Sequence, residues 1–214
     1  MKLGADALIL DLDGTLLDSK LGILESFSRA VESVFPGLAL DASQVPVGPP
    51  IRQLCKAVFP GLSESDVERV ARAYRAHYDS QGCLNTRLYD GAREVLSRCA
   101  ESGRSLDVAT NKPLGVATAT LARFNINGFF RSVVAVDSIQ PPFASKTEMI
   151  RHLLKTHRME LGRTVYVGDT AEDAAAARTC GIGFVWAAYG YGRLEGGEPI
   201  LFAINKLAEL GELL

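Results

Sequence analysis

The chain is poor in the residues that staple or metallate small folds. It has four cysteines and three histidines among 214 residues. Cys55, Cys83, Cys99 and Cys180 show no CxxC spacing, which argues against a zinc site or a disulfide framework and leaves them as packing residues. His77, His152 and His157 fall on polar segments without HxxxH or HExxH spacing, so surface positions are expected for all three. Positive charge is not in surplus either. Lys plus Arg number 23 against 25 Asp plus Glu, a net charge of −2, and no basic surface argues for a nucleic acid partner. Long hydrophobic runs are missing: the apolar stretches, such as residues 7–10, fall far short of the ~20 residues of a membrane span. The N-terminus lacks the basic-then-apolar layout of a secretory signal. These absences point to a cytoplasmic protein with no membrane partner. There is no internal repeat, low-complexity tract or Walker phosphate loop. Gly190 and Gly192 begin a dinucleotide-like pattern, but its sixth position holds Glu195, and Glu198-Pro199 follows where a helix interior is required.

What is present is the composition of an ordinary globular protein, 47% hydrophobic and 22% charged. Five short apolar runs, at residues 7–10, 106–109, 133–136, 165–167 and 182–186, alternate with helical patterns. Continuous rather than alternating apolarity is the pattern of a strand buried on both faces, so the runs predict a parallel sheet covered by helices. Helical stripes lie between them: Ala92, Val95, Leu96 and Cys99; then Leu114, Ala117, Leu121 and Phe124; then Met149, Ile150, Leu153 and Leu154. Pro113 suits the first turn of the second of these, and Ser145 with Glu148 has capping-box spacing before the third. The expected fold is α/β, a doubly wound Rossmann-like parallel sheet core.

The segment following the first strand breaks the rhythm. Ile23, Phe27, Ala30, Val31 and Val34 form one helical stripe and Val67, Val70, Ala71, Tyr74 and Tyr78 another, with no clear strand between them. A small helical cap domain at residues 18–87 is therefore expected, inserted after the first strand into a core of residues 1–17 and 88–214. So placed, it would sit over the C-terminal edge of the sheet, where open α/β sheets bind ligands.

Residues 8–19 read LILDLDGTLLDS, an apolar strand running straight into acids. Asp11 and Asp13, at i and i+2, leave the same face if the extended conformation continues. Two carboxylates so close ionise together only if a cation compensates them. A hard cation such as Mg²⁺ prefers oxygen ligands and bridges carboxylates to a substrate phosphate. Gly14 and Thr15 add a tight turn and a hydroxyl. An EF-hand calcium loop is excluded, because counting from Asp11 its positions 6 and 12 hold Leu16 and Gly22 instead of Gly and Glu. Three later elements follow later strands: Thr110-Asn111-Lys112, Lys146, and Gly168-Asp169-Thr170 with Asp173 beyond. In a parallel sheet these strand ends share one edge and converge on Asp11. Thr170 and Asp173 also have plain helix-capping spacing. A lysine in a helix's first turn opposes the helix dipole, so Lys146 calls for a nearby anion.

Together DLDGTLLDS at residues 11–19, Thr110-Asn111, Lys146 and GDTAED at residues 168–173 resemble the four signature motifs of the haloacid dehalogenase superfamily, in order and across nearly the whole chain. Gly48-Pro49-Pro50, LYDGAREVL at residues 88–96 and AYGYG at residues 188–192 resemble its phosphoglycolate phosphatase-like branch. The resemblance implies a Mg²⁺-dependent phosphatase acting on a small phosphorylated metabolite, phosphoglycolate-like or a sugar phosphate. Asp11 would be the nucleophile that forms an aspartyl-phosphate, and Asp13 the acid/base whose backbone carbonyl also faces the metal. Asp169 would complete the metal site with Asp11 and Asp13. Thr110 and Asn111 would bind the phosphoryl oxygens, and Lys146 would offset the charge of nucleophile and phosphate. Asp173 would orient Lys146 or a metal-bound water. Gly14 and Thr15 would line the substrate site, with Arg52 in the cap reaching a second anionic group. The family's usual Lys-Pro dipeptide is absent at Lys146 and appears instead at Lys112-Pro113; strand order favours Lys146. A sugar-phosphate mutase of the same fold and a non-catalytic metal- or phosphate-binding regulatory protein are the alternatives. Gly168 favours hydrolysis over the mutase, which usually carries an acid there, and Asp13 disfavours a dehalogenase.

Overall fold

The computed structural model describes residues 2–194 and 196–214; Glu195, where the dinucleotide pattern breaks, lies outside them. The chain forms two units, one built from residues up to Asp18 and Leu88–Leu214, the other from Ser19–Arg87.

The first unit is a doubly wound α/β core. Its strands are β1 (Ala7–Leu10), β4 (Ser105–Thr110), β5 (Ser132–Ala135), β6 (Thr164–Gly168), β7 (Gly183–Ala187) and β8 (Phe202–Ile204), in the order β5-β4-β1-β6-β7-β8. Every neighbouring pair is parallel. Two further short strands, β2 (Leu17–Asp18) and β3 (Arg87–Leu88), mark the two places where the chain passes from one unit to the other. Helices α4 (Ala92–Glu101), α5 (Leu114–Arg123), α6 (Lys146–Thr156), α7 (Ala171–Cys180) and α8 (Ala208–Leu213) complete the unit.

The continuous apolarity of β1 has a direct cause. Leu8 and Leu10 pack on one face with residues of α4, α5 and α8, while Ile9 packs on the other with residues of α6 and α7. All three are at most 1% exposed, and burying each such side chain contributes roughly 1.5–3 kcal/mol. The five sequence-predicted strands are all present; β8 is added to their sheet, and β2 and β3 lie outside it. Strand β8 is three residues long and pairs only with β7, so it carries little of the two-faced burial that makes a strand legible. Pro113 caps α5 from outside instead of occupying its first turn, since its ψ of 142° is extended and the helix begins at Leu114. At α6 the box is half made: Ser145 Oγ accepts from Glu148 N, but the Glu148 carboxylate accepts from Ala144 N at 2.9 Å, one residue further back.

The second unit contains α1 (Lys20–Val34), α2 (Ile51–Val58) and α3 (Glu64–Tyr78). Its own core joins Phe27, Ala30 and Val31 of α1 to Leu54 and Cys55 of α2 and Val67 and Val70 of α3. Ser63 starts α3 by accepting from Asp66 N at 3.1 Å. Among the described residues, no helix of the chain is long and apolar enough to cross a membrane.

Candidate active site

The chain leaves β1 toward β4 on one side of the sheet and later returns to β6 on the other, so β1 ends at the topological switch point. Leu10 is level with Val108 of β4 and Val167 of β6, and Asp11 N donates to Val167 O at 2.9 Å. Thr110, Asp169 and Asp11 are thus delivered to one edge by strand register.

Asp11 and Asp169 are both buried, and Lys146 lies between Asp11 and Asp173. Its ammonium donates to Asp11 Oδ2 at 2.8 Å and to Asp173 Oδ1 at 2.6 Å. The anion called for by a lysine in the first turn of α6 is therefore a pair of carboxylates on other elements. Burial works against the Lys146 charge, but Asp11 and Asp173 outweigh it and hold its pKa well above the ordinary value. Asp173 does two jobs. Its Oδ2 accepts from Thr170 N and closes the capping box at the start of α7, while its Oδ1 holds Lys146.

Asp13 has a different partner. Lys112 Nζ donates to its Oδ1 at 2.9 Å and to its Oδ2 at 3.0 Å, with the lysine side chain only 1% exposed. The two carboxylates of the DLD stretch are thus each matched to a separate lysine. Lys112 is the functional candidate that motif reasoning passes over, although the Lys-Pro dipeptide beside Thr110-Asn111 was the available signal.

Gly14 has a φ of +83°, and a Cβ there would overlap the Asp169 carboxylate, so glycine is what lets the two acidic loops close on each other. Thr15 is fully buried and its hydroxyl has no hydrogen-bond partner among the described residues. Thr110, also buried, accepts from Lys112 N at 3.2 Å. Asn111 Nδ2 donates to Glu172 at 3.3 Å. Arg52 lies in the helical unit, where its guanidinium pairs with Glu64 at 2.9 Å and with Glu68.

Two atoms give the site its character. Asp11 Oδ1 and Asp169 Oδ1 are buried and have no hydrogen-bond partner among the described residues. A buried carboxylate oxygen left unpaired is costly, so a site with two of them is incomplete without a further donor or cation. Asp11, Asp169 and Asp173 each offer an oxygen, all within 4.8 Å of one another. Of the three, Asp173 has both oxygens engaged, which leaves Asp11 and Asp169 as the free pair. Burial, opposed by Lys146 and reinforced by Asp173 and Asp169, pushes the Asp11 carboxyl up to about 7. Burial and the neighbouring Asp173 push Asp169 to about 6. A divalent cation between the two would restore their charged forms. The all-oxygen donor set fits a hard ion such as Mg²⁺.

A family model described as haloacid dehalogenase-like hydrolase matches residues 8–187. The chain is 37% identical over 188 residues to the tyrosine-protein kinase PtkA of Mycobacterium tuberculosis, covering 87% of this chain and 63% of that protein. It therefore spans less than two thirds of that relative's length. It is 30% identical over 224 residues to a phosphoglycolate phosphatase of Cupriavidus necator, covering 100% of this chain and 95% of the other. Among solved structures, a predicted phosphatase from Clostridium acetobutylicum matches with a TM-score of 0.88 and 25% identity over 97% of each chain.

Proposed function

The chain belongs to the haloacid dehalogenase-like hydrolase family, and from that premise we propose that it is a Mg²⁺-dependent phosphatase. It hydrolyses a small phosphomonoester, phosphoglycolate-like or a sugar phosphate, through an aspartyl-phosphate on Asp11. The observation that carries this reading is the pair of buried, unpartnered oxygens on Asp11 and Asp169 at the switch point, with Lys146 on the other oxygen of Asp11. Asp11 and Asp169 would hold the cation together with the Asp13 backbone carbonyl. Bound there, Mg²⁺ supplies positive charge that offsets the carboxylates and the substrate phosphate.

The chain's own residues do the rest. The Asp11 carboxylate bonds to phosphorus as the bond to the leaving alcohol breaks, and Asp13 passes that alcohol its proton. Water then attacks phosphorus and gives its proton to Asp13, and the bond to Asp11 breaks to release phosphate. Thr110 and Asn111 hold the phosphoryl oxygens, and Lys146 offsets the charge that gathers on them. Gly14 and Thr15 line the phosphate site, whereas Arg52 has its guanidinium engaged by Glu64 and Glu68 and takes no part in it. Asp173 orients Lys146.

Hydrolysis is favoured over phosphoryl return to substrate by Gly168. A Cβ at that position would fall 2.6 Å from Asp173 Cγ, so the acid of the mutase pattern has no room while Asp173 holds Lys146. The 37% identity to a tyrosine-protein kinase favours one second reading, transfer of phosphoryl to a protein tyrosine. One experiment separates them: phosphate release from an aryl phosphate and a metabolite panel, with and without chelator, beside a tyrosine peptide supplied with ATP. Chelator-sensitive phosphate release is expected. Release from no substrate sinks the phosphatase, and labelling of the peptide alone installs the second reading.

Lys112 enters as the residue that fixes Asp13. Lys112→Met is expected to lower turnover by about 10²-fold, the scale of one acid/base contribution, while beryllium fluoride still binds at Asp11. Equal loss of beryllium fluoride binding would show that Lys112 serves the phosphate site as a whole.

A further inference from the structure

The loop that leads from β7 toward β8 touches both acidic loops on its way. Tyr191 N and Gly192 N donate to Asp169 Oδ2 at 2.7 and 3.2 Å, while Trp186 Nε1 donates to the Asp169 carbonyl at 3.0 Å. A carboxylate with a purely structural role has both oxygens satisfied. Here the loop saturates one oxygen of Asp169 and leaves the other buried without a partner.

The same loop reaches the segment after Asp11. Tyr189 OH donates to Thr15 O at 2.6 Å, and Tyr191 OH donates to Asp18 Oδ1 at 3.1 Å and lies 3.3 Å from Leu17 O. Gly190 sits in the seam between the two. A Cβ there would overlap Asp169 and Gly14 O at once, and one on Gly192 would fall 2.5 Å from Asp169 O and 2.8 Å from Thr170 Cα. Neither position accepts a side chain without a shift: at Gly190 Asp169 and Gly14 must part, and at Gly192 the loop must draw back from the Asp169 backbone.

We infer that residues 189–192 form a positioning element of the cation site: they turn Asp169 so that Oδ1 faces the ion, and they set its distance from the Asp11 loop. The inference rests on the cation site proposed above. The two backbone amides do the orienting, the glycines permit the close approach, and the tyrosine hydroxyls fasten the loop to residues 15–18. Groups that orient a metal ligand without touching the metal commonly govern affinity by about 10- to 100-fold.

The test is calorimetric titration of Mg²⁺ into the full chain and its variants, with rate measured against Mg²⁺ concentration in parallel. Gly190→Ala and Gly192→Ala are expected to weaken Mg²⁺ binding by about 10- to 100-fold, with much of the lost rate recovered at high Mg²⁺. Tyr191→Phe keeps both amides and is expected to weaken binding less. Should the alanine variants fail to fold, the Tyr189→Phe, Tyr191→Phe double variant decides: the Mg²⁺ requirement rises more than kcat falls. Mg²⁺ affinity equal to wild type in the folded variants overturns the role of the loop alone. Failure of the wild-type chain to bind Mg²⁺ overturns the cation site and the loop's role with it.

Discussion

Asp11→Asn is expected to lower phosphate release by about 10⁴-fold or more, because in the proposed mechanism it removes the atom that bonds to phosphorus and not a group that assists it. The amide matches the carboxylate in shape, so the backbone bond from Asp11 N to Val167 O is retained and the fold is undisturbed. Lys146 keeps Asp173 at 2.6 Å and stays in place. What is lost is the nucleophile and one of the two oxygens offered to the cation. Beryllium fluoride, which mimics the phosphoryl group on a carboxylate, is expected to bind wild type and not the variant. Turnover near the wild-type rate in Asp11→Asn would remove Asp11 from the role of nucleophile. Asp13→Asn, by contrast, is expected to slow turnover and spare Mg²⁺ binding, since only its backbone carbonyl is assigned to the ion.

Lys146→Met is expected to destabilise the protein by roughly 3–5 kcal/mol in the absence of divalent cation, the usual cost of stripping one partner from a buried charge network. Methionine fills much of the same volume, so the effect is electrostatic. The side chain of Lys146 is 3% exposed, and those of Asp11 and Asp173 are 8% and 0% exposed, so water screens little of the change. With the ammonium gone, Asp11 and Asp173 face each other and Asp169 without the positive charge that balances them. Urea unfolding of the chelator-treated proteins measures the difference. Mg²⁺ should narrow it, because an ion that binds only the folded state stabilises that state, and the variant, without an ammonium beside Asp11 to repel the ion, binds it more tightly than wild type. Equal urea midpoints for the two chelator-treated proteins would mean that Lys146 does not carry the charge balance of the site.

Much of the core can be read along the chain because each cue is local. Leu8, Ile9 and Leu10 are apolar in sequence for the same reason that they are buried in space: helices cover both faces of the sheet. The helical stripes of α1 and α3 likewise turn Phe27, Val31, Val67 and Val70 into one small core. Strand β8 escapes notice because an edge strand of three residues lacks that two-sided demand. The pairing of Arg52 with Glu64 and Glu68 escapes for another reason. Arg52 and Lys56, two charges one turn apart on α2, look alike whether they face a ligand or, as here, carboxylates of α3.

The amino-acid order alone determines the parallel core and places an acid, a hydroxyl or a lysine just beyond successive strands. Strands in a parallel sheet end at one edge, so those residues meet whatever their separation in the chain. Only the tertiary structure shows that Asp13 has a lysine of its own in Lys112, and that Lys146 is shared between Asp11 and Asp173. Lys112 reaches Asp13 across 99 residues and Lys146 reaches Asp11 across 135; the first follows β4 directly, while the second opens α6, which packs on β4 and against α7. The structure likewise brings residues 189–192 against Asp169, where backbone amides rather than any motif side chain do the work. Amides are present at every residue, so the sequence has no letter for the place where two of them converge.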